Sequence, residues 1–171
     1  NKKVNTTLTK NNIRFATIED IPSWMELLRL VVDGYPVLDE TDYLHKLKIC
    51  IQNKQALVLK DGDLLIGALA FSIPPCCIEF LGIHPQYRKR GIQKFFLDAL
   101  IEDYYPEQDI CITTYRKGDR ADTGYRKELQ KLGFAERELL IEFGYPTQRF
   151  VLTAKCSETN DKRLSSNKTE I

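Results

Sequence analysis

The residues best suited to chemistry lie close together, in the stretch Ile78-Glu79-Phe80-Leu81-Gly82-Ile83-His84-Pro85-Gln86-Tyr87-Arg88-Lys89-Arg90-Gly91-Ile92-Gln93-Lys94. It reads as a strand over 78–83, a break at His84-Pro85, a loop with three consecutive cations, and a helix opened by Gly91. A helix N-terminus presents N–H groups without intrahelical partners and the positive end of the macrodipole. Those donors suit a phosphate or pyrophosphate. Gly91 would let the backbone approach such a ligand closely, and Arg88, Lys89 and Arg90 add charge beside it. A solvated basic turn accounts for the same residues. Local chemistry leaves both readings open.

The elements around this stretch alternate in type. The helix after Gly91 is expected to run to about residue 103, with Ile92, Phe95, Phe96, Ala99 and Leu100 on one apolar face. Upstream, 12–17 reads as a short strand, and Asp20 reads as the cap of a helix with Pro22 in its first turn. Trp24, Leu27, Leu28 and Val31 form its inner face, and Gly34-Tyr35-Pro36 breaks it. A second helix is expected over 41–52, with Leu44, Leu47 and Ile51 inward. Strands at 55–60 and 64–72 flank Asp61-Gly62-Asp63, a hairpin signal. Beyond lie a strand at 109–115, a helix capped by Asp122 or Thr123 that ends at Gly133, and strands at 139–143 and 149–153 joined around Gly144-Tyr145-Pro146. The order β-α-α-β-β-β-α-β-α-β-β is mixed α/β. No internal repeat or interdomain linker is visible. Residues 156–171 are polar and read as a tail outside a domain over 1–155.

Two segments together resemble a known family. Arg88-Lys89-Arg90-Gly91-Ile92-Gln93, after Ile83-His84-Pro85, resembles the acetyl-CoA-binding motif Q/R-x-x-G-x-G/A of the GNAT superfamily of acyl-CoA-dependent N-acyltransferases. Gln93 departs from it, standing where the family has a small residue. The stretch from Asp122 to Phe134 is similar to the family's later helix, N-x-x-A-x-x-L-Y-x-x-x-G-F, and keeps the Gly133-Phe134 end. The resemblance implies a GNAT-like α/β domain: a central, mixed, mostly antiparallel sheet of about six to seven strands flanked by about four helices. It also implies an N-acetyltransferase that moves an acetyl group from acetyl-CoA to a primary amine, on a small molecule or peptide, by direct transfer. The family's acceptor region corresponds here to the first two helices with Gly34-Tyr35-Pro36-Val37 and the last hairpin with Gly144-Tyr145-Pro146-Thr147.

Acyl transfer to an amine needs a base for the amine proton, a donor for the oxyanion and an acid for the leaving thiolate. Carried over by position, Leu81, Gly82 and Ile83 would line the pantetheine arm, which pairs with the strand edge. Arg88, Lys89, Arg90, Gly91, Ile92 and Gln93 would hold the pyrophosphate. Glu79, the acidic residue on that strand, is the candidate base; an exposed strand carboxylate is the alternative. The family's usual tyrosine, four residues before the Gly of G-F, is replaced by Leu129. Tyr125, one turn earlier on the same face, is the candidate acid, although Tyr125, Leu129 and Leu132 also form an apolar stripe. A module that kept acyl-CoA binding but lost turnover is the alternative function.

Composition closes off other classes. Of 171 residues, 43% are hydrophobic and 29% charged, which is ordinary globular usage. Lys+Arg is 25 against 24 Asp+Glu, a net charge of +1, without the basic excess usual for a nucleic-acid partner. No apolar run approaches the roughly 18 residues of a membrane span, and the polar start does not resemble a signal peptide. The five cysteines are odd in number, without C-x-x-C. They read as small buried hydrophobes in a reducing cytoplasm, so Cys76 and Cys77 are expected to be inert thiols. With only His45 and His84, no metal site is expected. The motifs G-x-x-x-x-G-K-[ST], H-E-x-x-H and G-x-S-x-G are absent. Asn5-Thr6-Thr7 and Asn167-Lys168-Thr169 match the glycosylation triplet at polar ends. The expected assembly is a monomer or homodimer.

Overall fold

Most elements follow from local signals, while several polar and sulfur pairings come from side chains that bond across the fold. The computed structural model describes residues 8–31, 39–104 and 107–154. The break at 34–37, the tail at 156–171 and both glycosylation triplets lie outside them. The chain divides into two compact units: the segment up to Ile73 with Ile78–Ala99, and Pro74–Cys77 with the segment from Leu100 onward.

The first unit carries β1 (Arg14–Phe15), α1 (Ile21–Val31), α2 (Glu40–Gln52), β2 (Ala56–Asp61), β3 (Leu64–Ser72), most of β4 (Cys76–Ile83) and α3 (Ile92–Ala99). The strand order is β1-β2-β3-β4. In the β2–β3 hairpin, Asp61 pairs with Leu64, and Gly62 takes the positive φ of +60° that a two-residue turn requires. Both faces of this hairpin are buried. Ala56, Val58, Ala68 and Ala70 join Trp24, Leu27, Leu28 and Leu47 of α1 and α2 in one core. Burying each such large side chain contributes roughly 1.5–3 kcal/mol. The Trp24 indole N–H donates to the Tyr43 hydroxyl at 2.9 Å, which satisfies the one polar group this packing buries on Trp24. On the other face, Gly67 of β3 lets Phe96 of α3 come close; a Cβ there would sit 2.5 Å from the ring.

Two local expectations shift. The 12–17 strand contracts to Arg14–Phe15: Asn12 belongs to a 3-10 turn over Lys10–Asn12, and Thr17 is the N-cap of a second one over Ile18–Asp20. Asp20 does not act as the expected helix cap. Its buried carboxylate accepts from both Arg14 guanidinium nitrogens at 2.7 and 2.8 Å, and from the Thr17 N–H, and it faces Lys60 Nζ at 3.3 Å. The cap of α2 is Asp39, whose carboxylate accepts from the Thr41 and Asp42 N–H groups.

The second unit carries β5 (Ile110–Tyr115), α4 (Tyr125–Lys131), β6 (Ala135–Glu142) and β7 (Tyr145–Leu152), in the order β5-β7-β6. The helix expected to reach residue 103 ends as α-helix at Ala99 and continues as a π turn over Leu100–Tyr104. The last hairpin is longer than its apolar runs suggest. Phe143 and Gly144 form its two-residue turn, both at positive φ. Arg126 of α4 is buried; it donates to the Tyr115 carbonyl, Gln148 Oε1 and Glu136 Oε1, and lies 4.9 Å from the centre of the Phe150 ring. The reading of all five cysteines as free buried thiols is corrected. Cys77 is bonded to Cys111, 34 residues away, because the fold brings their Cα atoms to 4.5 Å.

Candidate functional site

The loop before α3 is held from behind and open in front. His84 ends β4, and its Nδ1 accepts from the Gln86 N–H at 3.1 Å, while its carbonyl accepts from the Tyr87 N–H at 2.8 Å. Burial and then the charge of Arg88 hold His84 below its ordinary pKa, so the ring remains neutral and keeps this acceptor at neutral pH. Arg88, Lys89, Arg90 and Gly91 are exposed. Lys89 and Gly91 adopt positive φ, 61° and 78°, which curls the loop into the start of α3. The Gly91 carbonyl accepts the N–H of Phe95 at 3.2 Å, so Gly91 sits at the head of the helix. A Cβ on Gly91 would meet nothing within 4 Å. Ile92 is buried and anchors the first turn. The Gln93 amide nitrogen is buried without a hydrogen-bond partner among the described residues. An open glycine side, first-turn N–H groups and three cations fit an anion such as a pyrophosphate.

The strand leading into the loop is fixed by aromatic packing. Gly82 is buried, and a Cβ on it would come within 2.6 Å of the Phe80 ring and 3.3 Å of Val31. Phe80 in turn lies 6.0 Å from Trp24 and 6.3 Å from Tyr43, ring centre to ring centre. Leu81 and Ile83 are half-buried. Glu79 is exposed, and its Oε1 accepts from the Ser72 hydroxyl at 2.9 Å. Ser72 escaped the sequence reading; nothing in the spacing of Ser72 and Glu79 marks a pair across a hairpin. Burial, with a smaller contribution from the Glu79 charge, pushes the Cys50 thiol up. Burial also pushes Cys76 up to about 11, so it stays a neutral thiol at pH 7. His45 is exposed on α2.

In the second unit, Tyr125 is the half-buried first residue of α4. Gly124, at φ 111°, occupies the N-cap position, while the Asp122 carboxylate accepts from the Gly124 N–H at 3.2 Å and the Arg126 N–H at 3.4 Å. Leu129 is 1% exposed, a core residue. Among the described residues no group of His, Cys, Asp and Glu could hold a metal. No described helix is long and apolar enough to cross a membrane.

The model of the Acetyltransferase (GNAT) family matches residues 24–134, well over half of the chain, and the chain belongs to that family. Solved structures agree on the fold. A GNAT-family acetyltransferase from Bacillus cereus is 18% identical with a TM-score of 0.66, covering 84% of this chain and 96% of its own. A GNAT-family acetyltransferase from Streptococcus agalactiae is 20% identical with a TM-score of 0.64, covering 84% and 95%. A GNAT-like decarboxylase solved in complex with isobutyryl-CoA is 11% identical with a TM-score of 0.63, covering 82% and 98%. No curated protein matches the chain in sequence. The expected α/β class is borne out, with seven strands and four α-helices among the described residues. At these identities the likenesses speak for the fold alone.

Proposed function

We propose that this chain is an acyl-CoA-dependent N-acyltransferase that moves an acetyl group from acetyl-CoA directly to a primary amine on a small molecule or peptide. The observation that carries the reading is the 88–91 loop, cationic and exposed, curling through two positive-φ residues into the N-terminus of α3. In this reading Arg88, Lys89, Arg90, Gly91, Ile92 and Gln93 hold the pyrophosphate of the donor, and Leu81, Gly82 and Ile83 line its pantetheine arm. The bound donor supplies an activated thioester. The amine attacks only when neutral, so Glu79 takes its proton, directly or through one water. The Ser72 hydroxyl holds Oε1 and leaves Oε2 for that role. As the new C–N bond forms and the C–S bond breaks, the Tyr125 hydroxyl protonates the leaving thiolate. The reading takes 1–155 as the acyltransferase domain and 156–171 as a tail outside it. It sets the reaction in the cytoplasm, with the enzyme a monomer or homodimer. In a reducing compartment Cys77 and Cys111 would stand as thiols.

The test is thiol release from acetyl-CoA across a panel of amines, with coenzyme A affinity measured in parallel. Glu79→Gln should lower kcat by roughly 10²–10⁴-fold while affinity for coenzyme A holds. Near-normal kcat in that variant would remove Glu79 from the chemistry. Tight binding without thiol release in the unaltered chain would leave an acyl-CoA-binding module instead.

A further inference from the structure

The residue immediately before the cationic loop is fixed in an unusual way. Tyr87 is only 3% exposed although its neighbours Gln86 and Arg88 are exposed. Its backbone N–H is held by the His84 carbonyl. Its hydroxyl donates to Asp61 Oδ2 at 2.8 Å, across 26 residues of sequence. Its ring meets His84 edge-on at 5.7 Å and carries the Arg90 guanidinium over its face at 5.5 Å. Asp61 ends β2 at the hairpin turn, where its Cα pairs with Leu64 in the antiparallel ladder. The position of the Tyr87 hydroxyl is therefore set by a rigid hairpin. The position of Arg90, two residues into the loop, is set in turn by the Tyr87 ring.

We propose that the Tyr87–Asp61 hydrogen bond is a latch that fixes the 88–91 loop in its anion-binding conformation. Tyr87 and Asp61 are then positioning residues for the phosphate end of the acyl donor. The inference rests on the acyl-CoA reading above and adds two residues to it. A loop with Lys89 and Gly91 both in the left-handed region has many competing conformations. Fixing the residue just before it at backbone, ring and hydroxyl removes much of that freedom before the ligand arrives, which is how preorganisation raises affinity. Arg90, stacked on a buried ring, keeps its charge beside the loop without ordering a free side chain at the moment of binding. Hydrogen bonding to Asp61 holds Tyr87 above its ordinary pKa, so the hydroxyl keeps its proton and stays the donor at neutral pH.

The test is titration calorimetry of the full chain with coenzyme A, joined to thermal melts and to kcat and KM with an amine from the panel that supports turnover. Tyr87→Phe and Asp61→Ala should each weaken coenzyme A binding about tenfold, equivalent to about 1.4 kcal/mol. The KM for acetyl-CoA should rise in step, with kcat at saturating donor and KM for the amine holding within about twofold. Asp61→Asn keeps an acceptor oxygen and should recover most of the affinity lost in Asp61→Ala. Affinity within twofold of the unaltered chain in both Tyr87→Phe and Asp61→Ala would overturn the latch. So would a pattern in which melting temperature and kcat fall while affinity holds, because it marks a purely structural bond. If the unaltered chain fails to bind coenzyme A, the acyl-CoA reading falls and the latch falls with it.

Discussion

Gly91 separates the folding requirement of the loop from its ligand requirement. Its φ of +78° is left-handed, where an L side chain costs roughly 1–2 kcal/mol. A Cβ there would meet no protein atom within 4 Å, so Gly91→Ala carries no steric cost within the fold. In a chain of this size that strain alone should lower the melting temperature by roughly 2–8 °C. The space the new methyl group fills lies at the head of α3, where a pyrophosphate would approach the first-turn N–H groups. Pushing the anion off one charge-assisted hydrogen bond costs roughly 1.5–3 kcal/mol. That converts to a coenzyme A affinity weaker by about 10- to 150-fold. Gly91→Val should do worse on both counts, since a β-branched side chain fits the left-handed region poorly. Calorimetry with coenzyme A reads the affinity, and a thermal melt reads the strain. A melting temperature that falls as expected while affinity stays within twofold would show that the anion binds elsewhere, and would refute the assignment of this loop.

Tyr125→Phe should slow turnover more than it weakens donor binding, whereas Leu129→Ala, in the core, should cost about 2–5 kcal/mol of stability by denaturant titration; normal turnover in Tyr125→Phe would leave the thiolate to water. Asp20→Asn should destabilise the fold by about 2 kcal/mol, less than the loss of a partner in a fully buried pair, because Arg14 and Lys60 are partly exposed and can regain water. The Arg14 guanidinium holds the Asp20 carboxyl far below the usual carboxylate range. Its stabilisation is therefore complete above the unfolded value of about 3.9 and is lost as pH falls from there through the folded value. Acid titration of stability should be shallower in the Asp20→Asn variant, and an unchanged acid limb would count against this ion cluster. Opening the Cys77–Cys111 bond, which closes a loop of 34 residues, should cost about 2–4 kcal/mol. Denaturant melts with and without a thiol reductant measure that cost, and superimposable curves would refute it.

The sequence by itself determined the features that depend on near neighbours in the chain. Helical spacing marked Trp24, Leu27 and Leu28, all buried in α1. The Asp61-Gly62-Asp63 signal marked the β2–β3 hairpin, and β3 occupies Leu64–Ser72 as expected. Two motifs at the right separation marked the family, and the cationic segment with its glycine marked the candidate loop. These are legible because periodicity, turn conformation and a helix terminus are written within a few residues. What depends on distant parts of the chain was not written there. Asp20 reads as a cap but grips Arg14 and Lys60, and Lys60 reaches it only once β2 is in place. Cys77 finds Cys111 across 34 residues, and Tyr87 finds Asp61 across 26. Leu129 and Tyr125 share one helical stripe in the sequence, yet Leu129 is fully buried and Tyr125 half-buried. Which polar groups meet, and which side of a helix is covered, depends on what the folded sheet brings beside them. A buried carboxylate or hydroxyl is stable only where the tertiary structure supplies its partner.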